Sequence, residues 1–196
     1  MANTNAPFGF KPVGYFNGTP WNGKYNVYYI PVGNASIIYR GDLVSMAGSG
    51  SADGLYPDVA RTAAAGITIV GVAIGFGTTP NFMSDPTNLS RMYCPVSTEM
   101  YCAVVDDPNV IFEVQEDSDG GAIAVTALGN NADIVATAGS TTTGTSGMVL
   151  DSSDVKTTTA QIRILRLANR PDNVLGNYAK WLVRINEHIY RTTAGS

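Results

Sequence analysis

The chain is short of charge. Asp, Glu, Lys and Arg together make up 14% of its 196 residues, against about 25% in an ordinary soluble domain. It has a single histidine and two cysteines. Each scarcity excludes something. A net charge of -4 argues against a nucleic-acid binder held by phosphate contacts. The longest apolar run, 67–74, is interrupted by Thr68 and Gly71, and is far shorter than the ~20 residues that span a bilayer. The first residues, Met-Ala-Asn-Thr-Asn-Ala-Pro, contain no basic cluster and no apolar stretch, so no signal peptide is expected. In a reducing cytosol Cys94 and Cys102 are then expected as free thiols acting as small hydrophobes. Without secretion the sequons at Asn17, Asn34 and Asn88 carry no weight.

Site chemistry is equally sparse. Any Ser-His-Asp or Cys-His device would have to use His188, which has no nucleophile motif beside it, and no Gly-x-Ser-x-Gly elbow occurs. His188 reads as a structural or surface residue. One histidine and two cysteines cannot complete a four-ligand zinc site unaided. The glycines at 71, 75 and 77 lack the spacing and the lysine of a phosphate loop. Glu116-Asp117-Ser118-Asp119-Gly120 invites a calcium test. With Gly120 at the sixth position of an EF-hand loop, the first position is Gln115 and the twelfth Thr126, so the template fails and a solvated turn is expected. Arg40-Gly41-Asp42 also reads as a turn rather than a displayed recognition tripeptide. No catalytic, cofactor or metal residues are expected.

What the chain does have is glycine (21 residues), proline (10) and 44% hydrophobic residues, enough for a packed core. The hydrophobic pattern has period two. Strands are predicted over Lys24–Ile30, Ile37–Tyr39, Leu43–Met46, Arg91–Cys94, Met100–Val105, Val110–Gln115, Asp133–Thr137, Met148–Leu150, Gln161–Leu167 and Ala179–Ile185. Gly66–Gly75 is apolar on both faces and reads as a central strand. Ala47–Asp53, Thr78–Ser90 and Gly139–Gly147 read as loops, and Asp106–Asn109 as a hairpin turn. Only Ala122–Asn131 is compatible with helix. Arg163 and Arg166 cannot share a face of an unbroken strand, so a bulge near Leu165 or a paired arginine is required. The fold class is all-β: a sandwich or barrel of about ten short antiparallel strands with little helix. Charge is uneven. Residues 85–154 carry one basic and eleven acidic groups, whereas 155–196 carry seven basic and two acidic. Separate acidic and basic faces, or fields that cancel in space, are both compatible with that distribution.

Residues 1–23 read as an extended N-terminal arm and 24–196 as one β domain, with 85–150 as an alternative semi-separate lobe. Pro7, Pro12 and Pro20 exclude helix in the arm. Yet it carries Phe8, Phe10, Phe16 and Trp21, more aromatics than a free tail supports. Such a segment needs a surface, either its own domain's or a neighbour's. Phe8, Phe10, Pro12, Phe16 and Trp21 are therefore the candidate partner-binding residues.

Several stretches, in order along most of the chain, resemble the head decoration (cement) proteins of tailed bacteriophages. They are Asn5-Ala6-Pro7-Phe8-Gly9-Phe10-Lys11-Pro12-Val13, Pro20-Trp21-Asn22-Gly23, Asp106-Asp107-Pro108 with Phe112-Glu113-Val114-Gln115, and Gly147-Met148-Val149-Leu150-Asp151. Near the end come Ile164-Leu165-Arg166-Leu167, Asn169-Arg170, Asn177-Tyr178-Ala179-Lys180 and Val183-Arg184-Ile185-Asn186-Glu187-His188. The resemblance implies a structural protein, made in the host cytoplasm and carried on the outer capsid surface of the virion. It would bind the major capsid protein, bridge neighbouring capsomers and associate with copies of itself as a trimer or a dimer. It implies no enzyme activity, cofactor, nucleic acid or membrane. A surface recognition module using Tyr28, Tyr56 and Trp181 as a sugar platform is the alternative. A glycoside hydrolase built on Asp106 and Asp107 is the third reading.

Overall fold

The computed structural model describes residues 3–84 and 91–191. Asn88 and the latter half of the Thr78–Ser90 loop lie outside them. The described strands are β1 (Lys11–Tyr15), β2 (Asn26–Ile30), β3 (Ile38–Tyr39), β4 (Leu43–Gly50), β5 (Pro57–Arg61), β6 (Gly71–Gly77), β7 (Tyr93–Cys94), β8 (Met100–Val105), β9 (Val110–Gln115), β10 (Asn131–Ala132), β11 (Ile134–Val135), β12 (Val149–Leu150), β13 (Ile162–Leu167) and β14 (Lys180–Ile185). Two 3₁₀ turns, Val125–Ala127 and Ile189–Arg191, are the described helical pieces. The all-β class is as expected; the strands not predicted are β1, β5 and β10, and β5 runs parallel to β2, so the pairing is not wholly antiparallel.

Two bodies of sheet share one wall. Strands β2-β5-β4-β6-β8 close into a barrel, and β1-β9-β14-β13-β10 form a five-stranded sheet. Neighbouring residues of the wall serve opposite cores. Val44, Val70, Ala73 and Val104 pack into the barrel with Phe76, Met100 and Cys102. Leu43, Ile69, Val72 and Val105 pack into the second core with Trp181 and Phe112. A strand buried on both faces needs apolar side chains at odd and even positions alike. That explains the continuous run around 67–74, although the strand itself begins only at Gly71.

The same wall corrects the expected hairpin. Met100–Val105 and Val110–Gln115 are strands as predicted, but β8 pairs with β2 and β6 whereas β9 pairs with β1 and β14. Asp106–Asn109 therefore carries the chain from barrel to sheet. Residues 85–150 do not stand apart, since β8 lies in the barrel, β9 and β10 lie in the five-stranded sheet and β7 pairs with β3, while β11 and β12 pair with each other. A further correction concerns Ala47–Asp53, whose first four residues extend β4, with Gly50 opposite Pro57. In β13 the register slips between Ile164 and Arg166, one of the two expected alternatives, and Arg163 Nε also donates to Asn131 Oδ1 at 3.0 Å.

The second core is centred on Trp181, Val183 and Ile185, which alternate on β14 as expected. Trp181 Nε1 donates to the buried Glu116 carboxylate at 3.0 Å. Glu116 also accepts from Ile123 N–H (3.0 Å) and Ser118 Oγ (3.2 Å). Burial pushes its carboxyl above the usual range despite these donors.

Candidate functional site: the arm groove

The arm is extended, as its prolines require, and it lies on its own protein. Asn3 donates to Val174 O and Asn177 O and accepts from Val174 N–H. Gln115 grips the next residues: its Oε1 accepts from Ala6 N–H at 3.0 Å and its Nε2 donates to Asn5 at 2.8 Å. Lys11–Tyr15 then becomes the edge strand beside β9. The chain reverses around Gly18 and returns, so that Tyr15 N–H donates to Thr19 O at 2.8 Å. The arm thus covers its own outer edge, and Pro12 and Pro20 present no amide there.

Residues 8–10 cross the Arg40-Gly41-Asp42 turn at close range. Phe10 N–H donates to Gly41 O at 2.9 Å. Gly9 and Gly41 both have positive φ (72° and 93°). A Cβ on Gly41 would sit 2.7 Å from Phe8 O, and one on Gly9 would sit 2.5 Å from Gly41 O. Only glycine satisfies both the backbone angle and the approach. Asp42 is fully buried. It accepts from Tyr39 N–H (2.9 Å), Ser146 Oγ (2.5 Å) and Arg61 Nε (2.9 Å). Burial still raises its carboxyl above the ordinary range, outweighing Arg61 and Ser146. The tripeptide is therefore a turn whose aspartate is internal.

This crossing builds an open groove of about 550 Å³. Four of the five candidate residues line it: Phe8, Phe10, Pro12 and Trp21. Arg40, Ile74, Met83 and Arg170 complete it from distant parts of the chain. Phe10 needs a correction. It is 2% exposed and belongs to the second core, so it supports the groove instead of reaching for a partner. Phe8, Pro12 and Trp21 are half-buried. Trp21 Nε1 is buried without a hydrogen-bond partner among the described residues. Phe16 lies elsewhere. It is 60% exposed, in a separate groove with Tyr15 and Leu182, and the Arg184 guanidinium sits 5.3 Å from its ring centroid.

Arg170 closes one rim of the groove in a fixed position, its charge matched by two carboxylates. Its guanidinium donates to Glu113 Oε1 at 2.6 Å and to both Asp172 oxygens at 2.9 Å. None of the four distant contributors was identifiable from the sequence, because no local pattern links them to the arm. The glycines at 9 and 41 were the available signal: each marked a special backbone position without naming what crosses it.

The other sequence candidates resolve as structural groups. Cys94 and Cys102 are free and buried. Burial pushes the Cys94 thiol up to about 12 and also raises Cys102 well above its ordinary value. His188 is fully buried, accepts from Tyr190 N–H at 3.2 Å, and burial lowers its pKa to about 4. Asp117, Asp119 and Asp151 bring carboxylate oxygens within 4.8 Å of one another. Ser152 ties this turn together, giving its N–H (3.0 Å) and Oγ (2.8 Å) to Asp117. Trp181 and Tyr28 are buried at 1% and 3% exposure, so the three-residue sugar platform does not form as such; Tyr56 alone is partly open.

No family model, curated protein or solved structure matches this chain.

Proposed function

We propose that this chain is a capsid decoration protein. It docks on the outer surface of an icosahedral phage head through the arm groove, bridges neighbouring copies of the major capsid protein and stabilises the shell. It acts as a homo-oligomer, and the trimer is the preferred form over the dimer. One observation carries the reading: Phe8, Pro12 and Trp21, which belong to the stretches that resemble cement proteins, converge on one open groove whose floor is fixed by Phe10. The half-exposed aromatics supply apolar area, and Arg40 and Arg170 supply donors at the rim. The weakly charged surface supports the same role, because covering Ser, Thr and Gly orders fewer long side chains than covering Lys and Glu.

The test is reconstitution. Heads purified without decoration protein are mixed with this chain, then sedimented and imaged. The wild type should bind on the outside at repeating positions. Phe8→Ala should reduce occupancy about tenfold without lowering the melting temperature, and Trp21→Ala, which also loses packing against the second core, should reduce it at least as much at a temperature where the variant stays folded. Absence of binding, or full occupancy by both variants, refutes the proposal. Light scattering of the free protein separates trimer from dimer.

A further inference from the structure

A second concavity lies on the barrel, apart from the arm groove, with a volume of about 710 Å³. Its chemistry comes from Tyr25, Asn26, Tyr56, Asp106, Asp107 and Tyr190. These residues are brought together from the β2 start, the turn before β5, the barrel-to-sheet crossover and the last 3₁₀ turn. Tyrosine is concentrated here. Six of the chain's ten lie in this pocket or stack in file behind it: Tyr25, Tyr28, Tyr56 and Tyr190, then Tyr101 and Tyr29. The Tyr56 ring meets Tyr101 edge-on at 5.3 Å, and Tyr101 meets Tyr29 at 5.8 Å. Tyr56 is thereby braced, while Tyr190 is 53% exposed.

The polar groups are preset. Tyr28 Oη donates to Asp106 Oδ2 at 2.7 Å and shares a 2.6 Å hydrogen bond with Tyr190 Oη. Asn26 Nδ2 donates to both Asp106 oxygens at 3.0 and 2.9 Å. Asp107 Oδ1 accepts from Asn109 N–H at 2.8 Å. Two ionised carboxylates offer about four acceptor positions each, so both retain acceptor capacity after these bonds. Among the described residues, neither Lys nor Arg lines the pocket. Such a lining repels anions and favours a neutral molecule with many hydroxyl donors and an apolar C–H face. The hydroxyls give charge-assisted bonds to the carboxylates, the C–H face lies on tyrosine, and the volume falls in the range of small-molecule sites.

We propose that this pocket binds a neutral glycan, with Tyr56 and Tyr190 as stacking faces and Asn26, Asp106 and Asp107 as partners for sugar hydroxyls. The site is independent of the capsid-docking reading and uses none of the groove residues. A quaternary ammonium would also be drawn to tyrosines beside carboxylates. The breadth of the pocket and the Asn26 carboxamide favour a hydroxylated ring instead.

The experiment applies the full-length protein to an array of immobilised neutral hexose and N-acetylhexosamine oligosaccharides, with carboxylated and sulfated glycans as a second arm. Choline is added as a competitor in a third. Binding is expected on neutral glycans alone and should survive choline. Asn26→Ala and Tyr56→Ala should each weaken it about tenfold or more. Because Tyr56 braces Tyr101, the exposed Asn26 provides the variant least able to disturb folding. The proposal fails if neutral glycans are not retained, if acidic glycans bind better, if choline displaces the glycan, or if Asn26→Ala binds like the wild type.

Discussion

Replacing Phe10 with alanine tests whether the arm is part of the folded unit. Its side chain is 2% exposed, packs in the second core and follows a backbone bond to Gly41. Truncating a fully buried phenylalanine costs about 3–5 kcal/mol, the lost transfer term plus the cavity left behind. A domain of this kind has about 5–15 kcal/mol in all, so at least about a fifth of the stability is at stake. Phe16→Ala is the matched control. At 60% exposure, on an open groove and with the Arg184 contact to lose, it should cost under about 1 kcal/mol. Urea titrations followed by tryptophan fluorescence measure both. The two variants should share the wild-type slope, because the same surface is exposed on unfolding. A Phe10→Ala cost below about 1 kcal/mol would refute the reasoning: the arm would then spend most of its time off the core. The result also governs how function is tested. If Phe10 costs that much, deleting residues 1–23, which also removes β1 and the core-packed Trp21, disturbs the fold itself, and loss of capsid binding by that deletion carries no information.

The buried imidazole of His188 makes stability pH-dependent. Its folded pKa is about 4 against an ordinary 6.5, so only the unfolded chain takes up the proton between those values, and stability is lost as pH falls from 6.5 towards 4. The contribution lost between pH 7 and pH 5 is about 2 kcal/mol. Asp42, Glu116 and Glu187, whose carboxyls are raised by burial, act with the opposite sign. The measurement is therefore the difference in pH slope between wild type and His188→Asn, and equal slopes would contradict a neutral buried ring. Gly41→Ala should destabilise by at least about 1–3 kcal/mol, since φ is 93° and the new Cβ would meet Phe8 O at 2.7 Å; a melting temperature within a degree of wild type would show that the arm can shift away.

What was legible in the sequence was whatever depended on local alternation. Met100–Val105 and Val110–Gln115 match their strands because apolar residues and a Pro-containing turn delimit them. Trp181, Val183 and Ile185 declared an inward face, and the spacing of Arg163 and Arg166 demanded a bulge or a paired arginine, both of which the strand has. What was not legible depended on partners. β4 runs through Ala47–Gly50 because Gly50 pairs with Pro57, and a Gly/Ser stretch has no side-chain period to announce that. β8 and β9 looked like a hairpin because a turn sequence reports a reversal, not which sheets receive the two strands. Four of the five candidate arm residues met in one groove, but Phe10 proved to be core and Phe16 lay apart. Aromatic content signals that a surface is needed; it does not say which rings are consumed by it.

The two proposed surfaces are joined by the same wall. Phe10 rests against the Gly41 turn, whose N–H donates to Ala73 O on β6 at 2.8 Å. Asp106 follows directly on Val105 of β8, and Tyr190 is carried in by the pairing of His188 with Ile69. Groove and tyrosine pocket are thus mounted on neighbouring strands of one packed unit, so their separation is fixed rather than set by a linker. A single shallow glycan site binds weakly, because a few hydroxyl contacts scarcely exceed the entropy of holding the ligand. Repetition changes that arithmetic. Copies held by their grooves on a rigid lattice would present tyrosine pockets at fixed spacings, and simultaneous engagement raises apparent affinity by about 10²–10⁴ when the spacing suits the target. The isolated protein and a decorated head should therefore differ far more in retention on a glycan surface than in affinity for a soluble monosaccharide. Equal retention of both would mean that the two surfaces do not work together.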